Sequence, residues 1–212
     1  MKGDAAALHD RAIEPVAQVE VLEIDRAAVV LGSTQSLDVV DTARATALGF
    51  DVVRRRSGGG VVILQPSDHA WIDVTVPRGH RLWSDDVEKA TWWLGDVWCD
   101  VLRETDSSAR WEVHRGKLTA SAPERRVCFA SVGPGEVVRR ESVPRKVVGV
   151  SQRRTKDAAR FQCTLFRRID VDLYANLLRD DVPASLADAV GVGDALEHVS
   201  RRAIERLGAG LA

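Results

Sequence analysis

Three consecutive glycines between an arginine cluster and a β-branched stretch form the feature that most restricts how this chain can fold. Residues 54–63 read Arg-Arg-Arg-Ser-Gly-Gly-Gly-Val-Val-Ile. Glycine has no side chain, so such a loop can bring its backbone N–H groups close to a ligand, with cations beside them. The segment is not a Walker loop, because no Gly-Lys-Ser/Thr follows Gly60 and the next residues are typical of a strand. We predict a tight loop between two strands that favours an anionic or strongly polarised ligand.

A second short motif lies further along the chain. Residues 146–152 read Lys-Val-Val-Gly-Val-Ser-Gln, which has the pattern Lys-x-x-Gly-x-x-Gln. Each motif is weak alone, because a glycine triplet is most often a turn and a lysine at the start of a strand is most often exposed. Their occurrence together, in this order, carries the functional interpretation.

The two motifs together resemble the lipoate-protein ligase and octanoyltransferase family, which belongs to the biotin/lipoate protein ligase superfamily. The resemblance extends over about residues 16–180. It implies an α+β catalytic domain with a mixed, mainly antiparallel sheet and flanking helices. It also implies a lipoate-protein ligase, which uses ATP with Mg²⁺ to activate lipoate or octanoate as acyl-AMP and transfers the acyl group to a lysine of a lipoyl domain. The expected partners are lipoyl domains of 2-oxoacid dehydrogenase complexes or the glycine cleavage H protein.

The resemblance also assigns site residues. The motif lysine is Lys146, which in the family contacts the activated acyl carbonyl and the phosphate. A fixed cation there stabilises the negative charge that develops on the carbonyl oxygen when the acceptor lysine attacks. The acceptor lysine, and not Lys146, is the nucleophile. The substrate-binding residues that the resemblance implies are Arg55, Ser57, Gly58, Gly59, Gly60, Gly149 and Gln152.

Cys128 raises a second mechanism. Some octanoyltransferases of this superfamily use no ATP and carry the acyl group on a cysteine in a Cys-Phe segment shortly before the motif lysine, as Cys128-Phe129 lies here. The acyl donor is then a thioester such as octanoyl-acyl-carrier protein, and a nearby cation such as Lys146 favours the thiolate. The alternative is that Cys128 is a buried packing residue, which is the more common role of a cysteine in a strand. We expect Cys163 to be structural.

The sequence also departs from the family pattern. Many relatives have a histidine at the end of the strand after the glycines, where residues 61–65 read Val-Val-Ile-Leu-Gln. Relatives often have Gln-His-Gly or His-His-Gly where residues 161–164 read Phe-Gln-Cys-Thr. The long bacterial ligases carry an accessory C-terminal domain that this sequence lacks, so either a separate accessory subunit supplies it, or the enzyme works without it, or the transferase mechanism applies. The missing histidines leave open a third reading, a non-catalytic acyl-binding relative.

Composition limits the other classes of protein. The chain has 212 residues, of which 45% are hydrophobic, and we expect one domain over residues 1–212 with C-terminal helices at 183–208. The net charge of −1 argues against a nucleic-acid binder. No run approaches the roughly 20 apolar residues of a membrane span, and residues 1–5 do not start a signal peptide, so we expect a cytoplasmic protein. The three cysteines have no metal-type spacing, which predicts reduced thiols and no metal site.

Hydrophobic periodicity predicts strands and helices in an irregular order. The predicted strands cover residues 16–24, 27–31, 50–53, 61–64, 71–77, 110–114, 126–130, 136–140, 145–152 and 160–167. The predicted helices cover 37–48 with Ser36 as N-cap and Gly49 as the stop, 86–104 with a capping box at Asp85 and Glu88, 173–178, and 194–207 stopped by Gly208. Runs of strands with helices inserted between them favour an α+β sheet with helices on one face.

Overall fold

The computed structural model describes residues 1–212, which form ten strands and five α-helices. The strands are β1 (Lys2–Gly3), β2 (Gln18–Ile24), β3 (Ala28–Leu31), β4 (Asp51–Arg54), β5 (Val62–Leu64), β6 (His69–Pro77), β7 (Trp111–Val113), β8 (Val137–Arg139), β9 (Arg145–Arg154) and β10 (Ala158–Phe166). The helices are α1 (Ala5–Asp10), α2 (Thr42–Ala47), α3 (Trp92–Thr105), α4 (Val171–Leu177) and α5 (Leu196–Leu211). No helix has the length and apolar composition needed to span a bilayer.

The strands form two sheets. Seven strands make a large sheet in the order β1-β2-β6-β10-β9-β8-β7, and three make a small sheet in the order β4-β3-β5. The pairs β1–β2 and β3–β4 are parallel, and every other pair is antiparallel. The predicted α+β class with a mixed, mainly antiparallel sheet is therefore confirmed.

The two faces of the large sheet pack against different elements. Phe161, Cys163 and Leu165 alternate along β10 and join a core with α3 and α5 on one face. The other face carries Gln162 and Thr164 and lies against the small sheet, where a second core of 22 buried residues forms. The site described below lies between the two sheets, because strand alternation sends polar residues of β10 to that side.

Three predicted helix boundaries are wrong. Residues 37–48 divide into a 3₁₀ turn and then α2, because Asp41 caps the helix by accepting from the N–H of Arg44. The long helix is α-helical only from Trp92, and its entry is capped by Asp86, whose carboxylate accepts from the N–H groups of Glu88 and Lys89. The last helix does not stop at Gly208, since α5 continues to Leu211, whose side chain packs in the core.

The predicted strand at 126–130 is also wrong, and this difference concerns the site. The segment forms two 3₁₀ turns, Glu124–Arg126 and Cys128–Ala130. Its β-type contact is a single bridge from Val127 to Val61, fixed by hydrogen bonds of the N–H of Val61 to the carbonyl of Arg126 (2.7 Å) and of the N–H of Cys128 to the carbonyl of Val61 (3.0 Å). One bridge does not make a ladder, so an apolar run here becomes a turn docked on β5.

Candidate active site

A small cavity of about 40 Å³ lies between the two sheets. The small sheet contributes apolar side chains, and the large sheet contributes a mixture of apolar and polar ones. Its lining comprises His9, Val30, Arg55, Val62, Leu64, Trp71, Cys128, Phe129, Gly149, Val150, Ser151, Gln162 and Thr164. A mostly apolar pocket with a few convergent polar groups is typical of a small-molecule site.

The glycine-rich loop connects β4 to β5 at one side of this cavity and is held by Arg55. This guanidinium is buried, and Nη2 donates to the carbonyls of Gly58 (2.8 Å) and Gly60 (2.9 Å). Gly59 has φ of +102°, a conformation that favours glycine. The N–H groups of Gly58, Gly59 and Gly60 make no hydrogen bond within the protein. Three successive backbone N–H groups are thus without a partner in the protein, and anion binding by this loop stays a prediction.

The loop also packs against the Cys128 segment without room for a side chain. A Cβ on Gly60 would lie 2.7 Å from the backbone nitrogen of Cys128, and one on Gly32 would lie 1.9 Å from the carbonyl oxygen of Gly59. Both distances are below any that a real Cβ adopts. Glycine at positions 32 and 60 therefore lets the glycine-rich loop pack closely against the end of β3 and against Cys128.

Lys146 lies near the start of β9 with its ammonium buried. Nζ is 2.7 Å from Oε1 of Glu136, 2.8 Å from the carbonyl oxygen of Cys128 and 3.6 Å from Sγ of Cys128. It also lies 4.8 Å from the centre of the Phe129 ring. Burial penalises the charged form, but the adjacent Cys128 and Glu136 outweigh it and raise the pKa of Lys146 above its ordinary value. The lysine is a fixed cation, in contrast to an exposed surface lysine.

Glu136 is held as firmly as the lysine. Oε1 also accepts from the N–H of Val150 at 3.1 Å, and Oε2 accepts from the N–H of Gly133 at 2.7 Å. Both carboxylate oxygens are therefore engaged, so Glu136 positions Lys146. Nothing in the sequence motifs indicated this partner.

Lys146 does not line the cavity between the sheets. It lines a second cavity of about 250 Å³, which lies on the other side of Phe129 and is bordered by Glu112, His114 and Arg140. Phe129 lines both cavities. The lysine side chain therefore lies at the second cavity, and its ammonium contacts the Cys128-Phe129 segment that borders the first.

Three of the predicted site residues, Arg55, Cys128 and Gly149, line the cavity between the sheets. A Cβ on Gly149 would lie 3.2 Å from the Phe129 ring and 3.4 Å from Cε of Lys146, so this glycine leaves room for both side chains. Ser57 is one contact away, with Oγ 3.1 Å from Oγ of Ser151.

Lys146, Ser57 and the three loop glycines lie outside the cavity lining, and Gln152 points away from the cavity altogether. Its Nε2 donates to the carbonyl of Val87 at 3.0 Å, and it pairs with Phe161 of the core face. Successive strand residues point to opposite faces, so Ser151, and not Gln152, faces the cavity with Gly149. The predicted substrate-binding role of Gln152 has no support from its position.

The other ten lining residues were not predicted, and His9, Trp71, Gln162 and Thr164 are among them. Trp71 pairs with Thr164, and Thr164 pairs with Gly149, across β6, β10 and β9. Gln162 lies two residues before Thr164 on the same face, so strand alternation could have found it. His9 comes from α1, a helix of six residues whose position depends on partners far along the chain, and no sequence signal indicated it.

The other two cysteines have the character of packing residues. Burial raises the pKa of Cys163 to about 12 and that of Cys99 to about 11. Cys128 is only partly buried. No group of three or more His, Cys, Asp or Glu side chains is placed to hold a metal ion.

Solved structures of similar fold are lipoate-protein ligases. The bi-partite lipoate protein ligase from Thermoplasma acidophilum matches with a TM-score of 0.69 at 16% identity, over 98% of this chain and 76% of that chain. A T. acidophilum protein described as a lipoate protein ligase, with bound lipoic acid, matches with a TM-score of 0.68 at 17% identity, over 98% and 77%. Lipoate-protein ligase A bound with ATP matches with a TM-score of 0.68 at 18% identity, again over 98% and 77%.

At these identities the structural likeness concerns the fold. No curated protein matches the sequence. The family model of the lipoyl protein ligase A/B catalytic domain matches residues 4–201, which is nearly the whole chain. The chain therefore belongs to the family of lipoyl protein ligase A/B catalytic domains.

Proposed function

We propose that this protein transfers a lipoyl or octanoyl group, activated by ATP as acyl-AMP, to a lysine of a lipoyl domain. The observation that carries the proposal is the buried Lys146 ammonium, fixed by Glu136 beside a glycine loop with three unpaired N–H donors. Cationic and backbone donors of this kind stabilise both a phosphate and a carbonyl oxygen that gains charge. The related structures with bound lipoic acid and with bound ATP support the same substrates.

The roles follow from the contacts. Arg55 holds the carbonyls of Gly58 and Gly60, so the loop N–H groups remain free for the phosphate of the mixed anhydride. Lys146 stabilises the negative charge on the acyl oxygen while the acceptor amine forms the amide bond and AMP leaves with the bonding electrons. The acceptor amine releases one proton to solvent in this step. Mg²⁺ would enter with the ATP phosphates, since it usually needs only one or two protein carboxylates.

The apolar walls suit a medium-length acyl chain. Val30, Val62 and Leu64 line the cavity from the small sheet, and Trp71 lines it from the large sheet. The volume of about 40 Å³ is far below the roughly 300–1,000 Å³ of typical ligand pockets, so we expect the lining side chains to shift when an acyl chain binds.

A specific observation also favours a thioester mechanism. Cys128 lines the cavity, and its Sγ lies 3.6 Å from the Lys146 ammonium. In this alternative the Cys128 thiolate attacks the thioester of an octanoyl-acyl-carrier protein and the carrier thiol leaves. The acceptor lysine then attacks the Cys128 thioester, forming the amide and returning the thiolate. The same lysine cation serves both mechanisms.

The proposed partners are lipoyl domains of 2-oxoacid dehydrogenase complexes or the glycine cleavage H protein. The Thermoplasma relative was studied with its E2 lipoyl domain, and that ligase is bi-partite. A separate accessory subunit is therefore included in the proposal as a second partner.

Pyrophosphate release separates the candidates. We expect pyrophosphate when the protein is incubated with ATP and free lipoate or octanoate, and none with octanoyl-acyl-carrier protein alone. Acyl transfer from the carrier protein without pyrophosphate would favour the thioester mechanism. Failure of both reactions, together with acid binding, would leave a non-catalytic acyl-binding role.

A further inference from the structure

Four carboxylates lie in the wall of the cavity that Lys146 lines or in contact with Lys146, and three of them already have partners. Glu136 accepts hydrogen bonds through both of its oxygens. Glu112 accepts from Nη1 of Arg140 at 3.1 and 3.2 Å. Glu124 accepts from a backbone N–H at 2.7 Å. These three side chains are therefore engaged within the fold.

Asp188 is the fourth carboxylate, and its side chain makes no ion pair and no hydrogen bond within the chain. Its backbone is engaged, because the carbonyl of Asp188 accepts from Nε of Arg145 at 2.7 Å. Two residues later, the N–H of Val190 donates to the carbonyl of Lys146 at 2.8 Å. These two bonds hold the segment along the start of β9, and the half-buried Asp188 side chain lies in the wall of the Lys146 cavity.

In the proposed reaction the acceptor lysine must reach Lys146 from the surface. Arg140 and Val143 are exposed and border the Lys146 cavity, so this cavity opens to the surface. The acceptor arrives as an ammonium ion, since the ordinary pKa of a lysine is about 10.4, and an ammonium ion is not a nucleophile. The Lys146 cation repels a second ammonium and favours its neutral form, but the released proton needs an acceptor. Asp188 is the carboxylate in the wall that is free to accept it.

We infer that Asp188 binds the ammonium of the acceptor lysine and takes one of its protons, which makes it a catalytic residue of the acyl transfer. The inference rests on the proposed function. One N–H bond of the ammonium breaks, its electron pair stays on nitrogen, and the neutral amine attacks the acyl carbon. The C–N bond forms while AMP leaves with the electrons of the C–O bond. Asp188 then passes its proton to solvent, and the nitrogen loses its second proton to solvent as the amide forms.

Single-turnover transfer to an apo lipoyl domain tests this role, after the full chain has been loaded with ATP and lipoate. In Asp188→Asn we expect the transfer rate at pH 7 to fall by on the order of 100-fold, while pyrophosphate release during loading is unchanged. Hydroxylamine is a small amine that is already neutral at pH 7, so it should trap the bound acyl group equally fast in the variant and in the wild-type protein. Asp181→Asn is the matched control, because Asp181 is exposed, makes no ion pair and lies outside the cavity.

The other outcomes contradict the inference in distinguishable ways. Transfer to the lipoyl domain at near wild-type rate in Asp188→Asn overturns it and leaves the proposed function standing. An equal loss with hydroxylamine and with the lipoyl domain also overturns it, because Asp188 would then serve the acyl carbonyl or the fold. Slower pyrophosphate release in the variant overturns it by assigning Asp188 to the nucleotide. If the wild-type protein releases no pyrophosphate and modifies no lipoyl domain, the proposed function is overturned and the inference with it.

Discussion

The ammonium of Lys146 lies 3.6 Å from the sulfur of Cys128, although the two residues are 18 positions apart in the chain. The same ammonium bonds the Cys128 carbonyl at 2.8 Å and the Glu136 carboxylate at 2.7 Å. Cys128 is brought there by the single bridge between Val127 and Val61 and by the close packing of Gly60. A cation, a thiol and the glycine loop thus meet at one point, and either acyl-transfer mechanism would use it.

Replacing the lysine tests its charge. Lys146→Ala should lower acyl transfer by on the order of 100-fold or more, because a fixed cation at the reacting carbonyl is lost. It should also lower the stability by several kcal/mol, because Glu136 would be left buried without its ion-pair partner.

A double variant separates the two effects in steady-state kinetics and thermal unfolding. Lys146→Met combined with Glu136→Gln removes both charges, and we expect it to recover part of the melting temperature without recovering activity, because a carboxamide offers one acceptor oxygen to the N–H groups of Gly133 and Val150. Near wild-type transfer by a folded variant that lacks the lysine would show that Lys146 is only structural.

The glycine loop should tolerate no Cβ at position 59. In Gly59→Ala the new Cβ would lie 2.8 Å from Nη2 of Arg55 at a φ of +102°, so the guanidinium and the loop must shift. We expect at least about tenfold weaker binding of a non-hydrolysable acyl-AMP analogue in calorimetry. Gly79→Ala is the control, because Gly79 has a similar positive φ of +87° but lies in open space. Unchanged affinity in Gly59→Ala would show that the glycine triplet forms a turn without a role in ligand binding.

Substitution of the cysteine distinguishes the mechanisms. Cys128→Ser should keep most activity with ATP and free acid if the ligase mechanism holds, since the acyl group never rests on sulfur. It should abolish transfer from octanoyl-acyl-carrier protein if the thioester mechanism holds, because a hydroxyl without a base is a much weaker nucleophile. A thioester on the wild-type protein, detected by intact mass and missing in the serine variant, would overturn the ligase preference.

Iodoacetamide should modify Cys128 before the buried Cys99 and Cys163.

Two buried groups near the cavity should give opposite pH dependences of stability. Burial raises the pKa of Asp73 to about 6 from 3.8, so between these values the folded protein keeps a proton that the unfolded chain has released. Stability therefore falls as the pH rises through that window, by on the order of 3 kcal/mol. His9 has the opposite sign, because its pKa falls from 6.5 to about 3 and the unfolded chain holds the extra proton between them. The contribution of His9 to the free energy of unfolding therefore rises with pH.

Urea unfolding at several pH values between 4 and 7 measures both contributions. Relative to the wild-type protein, Asp73→Asn should become more stable as the pH rises through about 4 to 6, and His9→Phe should become more stable as the pH falls through the same range. If the free energy of unfolding changes with pH in both variants as it does in the wild-type protein, the burial effects on the pKa values of Asp73 and His9 would be contradicted.

Much of the fold could be predicted because its strands alternate clearly. Strand β6 and strand β10 carry long period-two patterns, and the structure places them beside each other at the centre of the large sheet. The segment 126–130 has similar residues but only one bridge to β5, so tertiary docking overrides its strand propensity. Capping side chains also escaped prediction, since the carboxylates of Asp41 and Asp86 each set a helix start by accepting from backbone N–H groups.

The site was predictable only where a motif names the residue. The motifs named Arg55, Cys128 and Gly149, which line the cavity, and Gln152, whose strand parity sends it to the opposite face. Glu136 and His9 carry no motif, and their roles depend on contacts that only the folded chain brings together.

The most direct test is intact mass of an apo lipoyl domain after incubation with this protein, ATP, Mg²⁺ and lipoate. The account predicts that the domain gains one lipoyl group at its acceptor lysine, with pyrophosphate released, and that neither occurs with Lys146→Met combined with Glu136→Gln. An unmodified lipoyl domain, with both free acid and octanoyl-acyl-carrier protein as donors, would contradict it.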